Sequence, residues 1–545
     1  MWRRRTLLAA APLLPLAPLL GCSRSDTASY VGDWVGAQHE RGHRLRETKS
    51  GSLPAPAVQR RVGFAIVGAG VAGLACARAL ARRGIDDVHL FELEDHAGGN
   101  SRGHRIAGMA CPLGAHYLPL PGEQAGEVAQ LLEELGLRRM RNGVPVYDER
   151  HLCHSPQERL YIAGHWHEGL LPPTAALPAA ERAPTLLQYR RFAQLVADLS
   201  RGATFTVPTG RSAWSPTLQA LDAMTFAQWL DTHQLSAPAL RWYLDYCCRD
   251  DYGAGAAEVS AWAGLHYFAS RHGFHAPGAE HEERDGVLTW PEGNAWFTSR
   301  LAAPLQDRIH TGMVAQRVTE RRDGVDVDIW NASAARIERW TARQVVLALP
   351  LFIAARIVEA PPPALADAAS RMRYAPWLVA NLHLDQALDD RPGAPPSWDN
   401  VLYAGESLGY VDAMHQSTRP HPGPTVLSSY WSWGAAPAHR QSLLQQSWSS
   451  RAAQVVQELS RPHPDLPSKV RRIDLMRYGH AMSVPIPGMR SGASLRALSQ
   501  TRGRVVFAHS DLSAYSVFEE AYFHGVRAAR DILDGERRDR RGKDQ

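Results

Sequence analysis

The run Gly63-Phe64-Ala65-Ile66-Val67-Gly68-Ala69-Gly70-Val71-Ala72-Gly73-Leu74-Ala75-Cys76-Ala77-Arg78-Ala79-Leu80 decides the fold. Its first five residues are a short apolar run, β-branched at the end, which reads as a buried strand. Its last seven read as a helix. Between them the glycines have the G-x-G-x-x-G spacing. Gly68 permits a tight turn, Gly70 lets a pyrophosphate approach the backbone, and Gly73 lets helix and strand pack closely. Ala72 stands in the first helical turn, where free N–H groups and the positive end of the helix dipole favour an anion. Val88-His89-Leu90-Phe91 reads as the next strand and ends at Glu92, 19 residues after Gly73. A carboxylate at that place can bind ribose hydroxyls. The expected class is therefore α/β, built on a dinucleotide-binding unit.

The residues just beyond the acid separate the possible cofactors. Glu92-Leu93-Glu94-Asp95-His96-Ala97-Gly98-Gly99 places a glycine pair six residues after Glu92. This resembles the flavin-containing amine oxidase and phytoene desaturase superfamily, in which a Gly-Gly-Arg turn lies beside FAD. Asn100 stands where that arginine is usual, and Arg102 is the expected substitute. Gly114-Ala115-His116-Tyr117 resembles the segment that runs under the flavin. Thr289-Trp290-Pro291-Glu292-Gly293-Asn294, strand-like segments at 313–318 and 325–330, and Val345-Val346-Leu347-Ala348-Leu349-Pro350 resemble the second half of the family's FAD domain. Val318 matches the position whose backbone touches the adenine. Gly503–Ala508, His509-Ser510-Asp511 and the helix opening at Phe518 resemble the closing motif. There Asp511 would contact the ribityl chain, Phe518 and the helix N-terminus would face the flavin, and Gly525 would allow close approach to another backbone.

The resemblance implies a Rossmann-type FAD domain of the glutathione-reductase kind, assembled from 61–117, 285–350 and 495–535. A mixed α+β substrate domain, 118–284 and 351–494, is expected to be inserted into it. Within the insertions, residues 218–235, 239–246 and 259–270 read as helices. The dense polar and aromatic stretch 243–252 suits a pocket wall or a packed domain junction equally. Trp377–Leu384 and Tyr430–Trp433 read as strands. The family's amine oxidases commonly carry a lysine on the first of these, water-bonded to flavin N5. Asn381 is its match here, and Val517 stands at a position of the aromatic cage. Tyr478 and His480, in the stretch that passes the flavin in the family, complete the catalytic candidates. No Cys or His stands in a recognisable attachment motif, so the FAD is expected to be non-covalent.

The N-terminus reads as an address. Arg3-Arg4-Arg5 precedes an apolar run from Leu7 to Leu20 that contains three prolines, too short and broken to span a bilayer. Leu19-Leu20-Gly21-Cys22 resembles a bacterial lipobox, with Cys22 the lipid-bearing residue. Arg4-Arg5-Thr6-Leu7-Leu8 resembles the twin-arginine pattern, which suits a protein exported with its cofactor in place. The expected location is the periplasmic face of a bacterial membrane, reached through a lipid anchor. Residues 23–60 read as a tether with some local structure, and 536–545 as a charged tail. The formal charge of +5, with no basic stripe interleaved with aromatics, argues against a nucleic-acid binder. Only Lys49, Lys469 and Lys543 are lysines.

The expected activity is FAD-dependent dehydrogenation of a small molecule, with an amine or polyamine leading. The electron acceptor is open among O2, a quinone and a cytochrome. The alternatives are desaturation of a hydrophobic polyene-like substrate and a non-catalytic flavin-fold surface lipoprotein. No Cys/His spacing resembles a metal site.

Overall fold

The computed structural model describes residues 30–47, 53–201, 205–278 and 286–543. The export signal, Cys22 and residues 23–29 and 48–52 of the expected tether lie outside them. Val58–Val67 forms the centre of a seven-stranded sheet. It pairs in parallel with Val88–Phe91 on one side and Arg336–Leu347 on the other. Ile309–His310 and Val505–Phe507 extend the parallel part. Phe64, Ala65, Ile66 and Val67 are all buried, as a parallel strand covered on both faces requires. Arg336–Leu347 is long enough to serve two pairings. Its first half closes an antiparallel meander with Met313–Glu320 and Val325–Asn331, and its end pairs with Val505–Phe507.

The helix Val71–Ala81 leaves the central strand through Gly68, whose φ of +105° suits glycine. It packs against the helix Phe518–Lys543 at very short range. A Cβ on Gly525 would stand 2.2 Å from the carbonyl oxygen of Ala72. That helix runs on through Lys543, so the backbone of the expected tail, up to Lys543, is helical.

The second sheet has eight strands. Its middle is Val470–Val484, Arg373–Leu384 and Thr425–Ser432. Tyr410–Asp412, Asp399–Leu402, Glu158–Ile162 and His165–Glu168 follow to one edge. Helices including Ala179–Ser200, Pro238–Tyr252 and Ala261–Tyr267 share a core with one face of this sheet. Two stretches assigned to the substrate domain pack elsewhere. Leu118, Val128, Leu131, Leu132 and Leu137 share a core with the helix Val71–Ala81. Leu351, Ala354, Leu365 and Ala368 share one with the meander.

Part of the expected tether is folded. Gly32–Trp34 adds an edge strand to the eight-stranded sheet, parallel to Val470–Val484. His39–Glu47 is a helix. No described helix is long and apolar enough to cross a membrane.

Candidate active site

The carboxyl ends of the parallel strands open on a cleft of about 330 Å³, the position where open α/β sheets bind ligands. Gly68, Gly70, Ala72, Glu92, Gly98 and Gly99 line it, as do Asp511 and Phe518. Gly73 does not. A Cβ there would stand 1.9 Å from the Gly68 carbonyl oxygen, so its part is the close packing of helix and strand. Gly70 is next to the Gly99 backbone, with Gly99 Cα the nearest atom at 3.6 Å from an added Cβ. The buried Glu92 accepts from the N–H groups of Ala69 (2.9 Å) and Glu94 (3.0 Å), which fixes it beside the glycine turn. Burial pushes its carboxyl above the usual range, and these N–H groups oppose the rise.

Asp511 is fully buried. Its Oδ2 accepts from Leu351 N–H at 2.9 Å and from the Tyr374 hydroxyl. Oδ1 has no hydrogen-bond donor. The neighbouring His509 Nδ1 lies 3.2 Å from Oδ1, and in its unprotonated form it accepts from Asp511 N–H at 3.1 Å instead of donating to Oδ1. With His509 in that form, Oδ1 is open to a ligand hydroxyl. The glycine cradle and this oxygen both fit a flavin dinucleotide, and no described cysteine lines the cleft.

Two expected cofactor residues fall elsewhere. Val318 lies three residues along its strand from Ala315, the nearest lining residue, about 10 Å at ~3.3 Å per residue, and its carbonyl is taken by Glu359 N–H. Met313, Val314 and Ala315 line the cleft instead, because the strand meets it at its first residues. Arg102 turns away. It donates to Gly99 O at 3.0 Å and Gly36 O at 3.0 Å, and is absent from the lining. It therefore braces the glycine pair from behind. Asn100 does line the cleft, with its amide donating to Ala481 O.

The N-terminal segment completes the cleft, which sequence reasoning missed. Gly42 and Leu45 are part of the lining. Gln38 N–H donates to Glu94 Oε2 at 2.9 Å, and Arg41 holds Leu93 O at 3.1 Å and Asp95 at 2.7 Å. Arg356 donates to Leu45 O.

A chamber of about 130 Å³ adjoins the cleft. Asn100, Ala115, Ala481, Ser516, Val517 and Phe518 line both. Its walls are aromatic. His116 stacks on Tyr430 at 4.3 Å between centroids, with Tyr117, Trp377 and Tyr478 beside them. Burial drives the His116 imidazole down to about 3, so it is neutral. The far side is charged. Asp250 and Asp251 face the chamber from the helix Pro238–Tyr252, beside the Arg271–Glu519 pair at 2.5 Å. Asp250 makes no ion pair among the described residues. Burial, then the charges of Asp251 and Glu158, push it up to about 7. Burial pushes Asp251 to about 6, against the Arg271 charge and a hydrogen bond from Tyr515.

The catalytic candidates separate. Tyr478 lines the chamber, but its hydroxyl is committed to Leu113 O at 2.7 Å. His480 lies on the cofactor cleft, packed on Phe352 at 4.5 Å, and burial with nearby Arg440, Arg46 and His43 lowers it to about 4. Asn381 reaches neither cavity. It donates to Pro112 O at 2.9 Å and accepts from Ser428 at 2.5 Å. Trp377 and Val379 are the residues that this strand presents to the chamber. Cys247 and Cys248 are buried free thiols.

Fold and site together define a two-domain flavoprotein whose substrate chamber opens onto the flavin cleft. The chain belongs to the flavin containing amine oxidoreductase family, whose model matches residues 71–533. FAD is the cofactor that the cleft takes, held non-covalently. The fold is similar to that of cyclohexylamine oxidase from Brevibacterium oxydans IH-35A, with TM-score 0.64 and 20% identity over 87% of this chain and 99% of that one. It is also similar to putrescine oxidase bound to putrescine, with TM-score 0.63 and 18% identity over 87% and 100% of the two chains. A fatty acid isomerase from P. acnes shares it too, with TM-score 0.58 and 15% identity over 86% and 98%. These likenesses are of fold. Among curated proteins, AofH of Mycobacterium tuberculosis is 41% identical over 76 residues, 14% of this chain and 16% of that one. Protoporphyrinogen oxidase 2 of Arabidopsis thaliana is 39% identical over 95 residues, 15% and 18%. The matched stretch thus spans about a sixth of these relatives' length.

Proposed function

We propose that the protein oxidises a small amine or polyamine. The observation that carries this is the unpaired Asp250 carboxylate facing an aromatic chamber that opens onto the flavin cleft. An ammonium group is attracted both to a carboxylate and to aromatic faces. Bound FAD supplies the acceptor for the hydride released when a C–H bond beside nitrogen breaks. Gly68, Gly70, Ala72, Gly98 and Gly99 would cradle its pyrophosphate, Glu92 its ribose, Val314 its adenine end, and Asp511 Oδ1 a ribityl hydroxyl.

The chain's own residues then orient substrate and move one proton. Tyr117, Tyr430 and Trp377 exclude water and hold the cation. Asp250, near neutrality in its titration, accepts the ammonium proton at its carboxylate and leaves the nitrogen lone pair free to assist hydride departure. Neutral His116 adds no repelling charge. A lysine is absent from this site, and Val379 keeps that wall apolar. The small volume and the charged groups favour an amine over a polyene.

Anaerobic bleaching of the flavin tests this, with panels of polyamines, aromatic amines, amino acids and polyenes. Bleaching by amines supports it; bleaching by polyenes alone, or by none of the panel, refutes it. Reoxidation with O2, a quinone or a cytochrome then identifies the acceptor.

We also propose that the precursor is exported through Arg4-Arg5 and anchored through Cys22. Cys22→Ser should move the protein from the membrane to the soluble fraction. Arg4→Lys with Arg5→Lys should strand the precursor in the cytoplasm. Unchanged fractionation in either case defeats that part of the proposal.

A further inference from the structure

The eight-stranded sheet has a second cavity, of about 360 Å³, on the face turned away from the chamber. Along Thr425–Ser432, Leu427 lines this cavity and Tyr430 lines the chamber, three residues on and therefore on the opposite face. This cavity shares no lining residue with the chamber or with the flavin cleft.

Arg159 lies at its wall and is 3% exposed. Its hydrogen bonds go to uncharged oxygens: Asn400 Oδ1 at 2.5 Å, Ala394 O at 3.1 Å and the Tyr410 hydroxyl at 3.5 Å. Its guanidinium lies 4.0 Å from the Trp166 ring centre. It enters no ion pair among the described residues. A buried charge without a counter-charge is costly, and a guanidinium fork matches the geometry of an oxyanion.

Two further donors lack acceptors. Tyr410 lies 2.7 Å from His463 Nε2. In the tautomer in which the Tyr410 hydroxyl donates to Nε2, the His463 hydrogen resides on Nδ1. That Nδ1 is buried with no partner, and so is Arg391 Nε. Both residues line the cavity. Burial and the charges of Arg159, Arg391 and Lys469 hold His463 down to about 3, so it stays a neutral donor.

The acids nearby are already engaged. Asp412 accepts from the Thr425 hydroxyl and from Met414 N–H at 2.9 Å. Asp389 pairs with Lys469 at 2.6 Å. Asp465 takes Lys469, Arg391 and Asp389 N–H. Asp390 is exposed to solvent.

We propose that this cavity is a binding site for a small oxyanion, a carboxylate or a phosphate, held by Arg159 with His463 Nδ1 and Arg391 Nε as flanking donors. The test is calorimetric titration of the full-chain holoenzyme with phosphate and with succinate, at ionic strength matched by chloride. Saturable binding and a raised melting temperature are expected with at least one of them. Phosphate binding alone assigns a phosphoryl ligand, and succinate binding alone a carboxylate. Arg159→Gln should weaken binding at least tenfold with flavin absorbance unchanged. Arg391→Met, on the more exposed rim, should weaken it several-fold and serves if Arg159→Gln does not fold. Absence of saturable binding by both anions overturns the proposal, as does wild-type affinity in both variants.

Discussion

Gly70 and Gly73 stand in one turn, and replacing each by alanine should have opposite consequences. Gly70 has φ −75°, which alanine adopts freely. Its added Cβ would meet only Gly99, at 3.6 Å from Cα and 3.9 Å from N, both ordinary contacts. The apoprotein should therefore keep its stability within about 0.5 kcal/mol. The methyl group would instead occupy the space at the helix N-terminus where phosphate oxygens approach the backbone. Losing one charge-assisted hydrogen bond costs about 1.5–3 kcal/mol, a roughly ten- to 150-fold loss of FAD affinity. On Gly73 the Cβ would lie 1.9 Å from a backbone oxygen that cannot rotate away. Helix and strand would have to separate, and overpacking of this kind costs about 1–3 kcal/mol or more. The loss should appear in the apoprotein before any cofactor is added. Thermal unfolding by circular dichroism measures stability, and quenching of flavin fluorescence during reconstitution measures affinity. A Gly70→Ala apoprotein that melts several degrees early would refute the reasoning. So would Gly70→Ala with wild-type FAD affinity, or Gly73→Ala with wild-type stability.

The same geometry carries other outcomes. Arg41→Ala removes the bonds to Leu93 O and Asp95, and should speed FAD release several-fold in a flavin-fluorescence dilution assay; an unchanged rate would mean that the N-terminal segment does not help retain the cofactor. Asp250 and Asp251 are raised to about 7 and 6, so the folded chain holds protons that the unfolded chain loses near pH 4. Their stabilising contribution is complete below that pH and is lost as pH rises through 6 to 7, at up to about 1.4 kcal/mol per pH unit for each carboxyl. Melting temperature should fall from pH 5 to 8, and Asp250→Asn should flatten the decline. The same variant should raise KM for an amine about tenfold or more, with little change in FAD affinity. Tyr515→Phe removes the hydrogen bond that holds Asp251 down, so Asp251 stays protonated to higher pH and withdraws the charge that raises Asp250; the lower limb of the kcat/KM profile should move to lower pH, and an unmoved profile would uncouple Asp251 from Asp250.

The cofactor half of the site was legible because its chemistry is local. The strand, the glycine turn, the helix and Glu92 lie within thirty residues, and one backbone path brings them together. That Gly525 allows close approach to another backbone was legible as well, because a glycine on a helix marks close packing; that the partner is Ala72 was not. The chamber was less so. The stretch 243–252 offered both a pocket wall and a packed junction, and it is both. Tyr246 and Cys247 sit in the core, while Asp250 and Asp251 face the chamber.

By itself the sequence determined an α/β flavoprotein and the strand–glycine turn–helix unit with Glu92 beside it, since those depend on backbone conformation over short spans. The tertiary structure alone decided which side chains line the cleft and the chamber from far away in the chain. It placed Val314 rather than Val318 at the cleft, because only the strand's first residues reach it. It turned Arg102 back onto Gly36, and brought Gly42 and Leu45 of the N-terminal segment to the cleft. It buried Asn381 between Pro112 and Ser428 and left Val379 in the chamber. Strand alternation says which residues share a face. Where along that face a cavity lies is set by the elements packed against it, and those come from segments hundreds of residues apart.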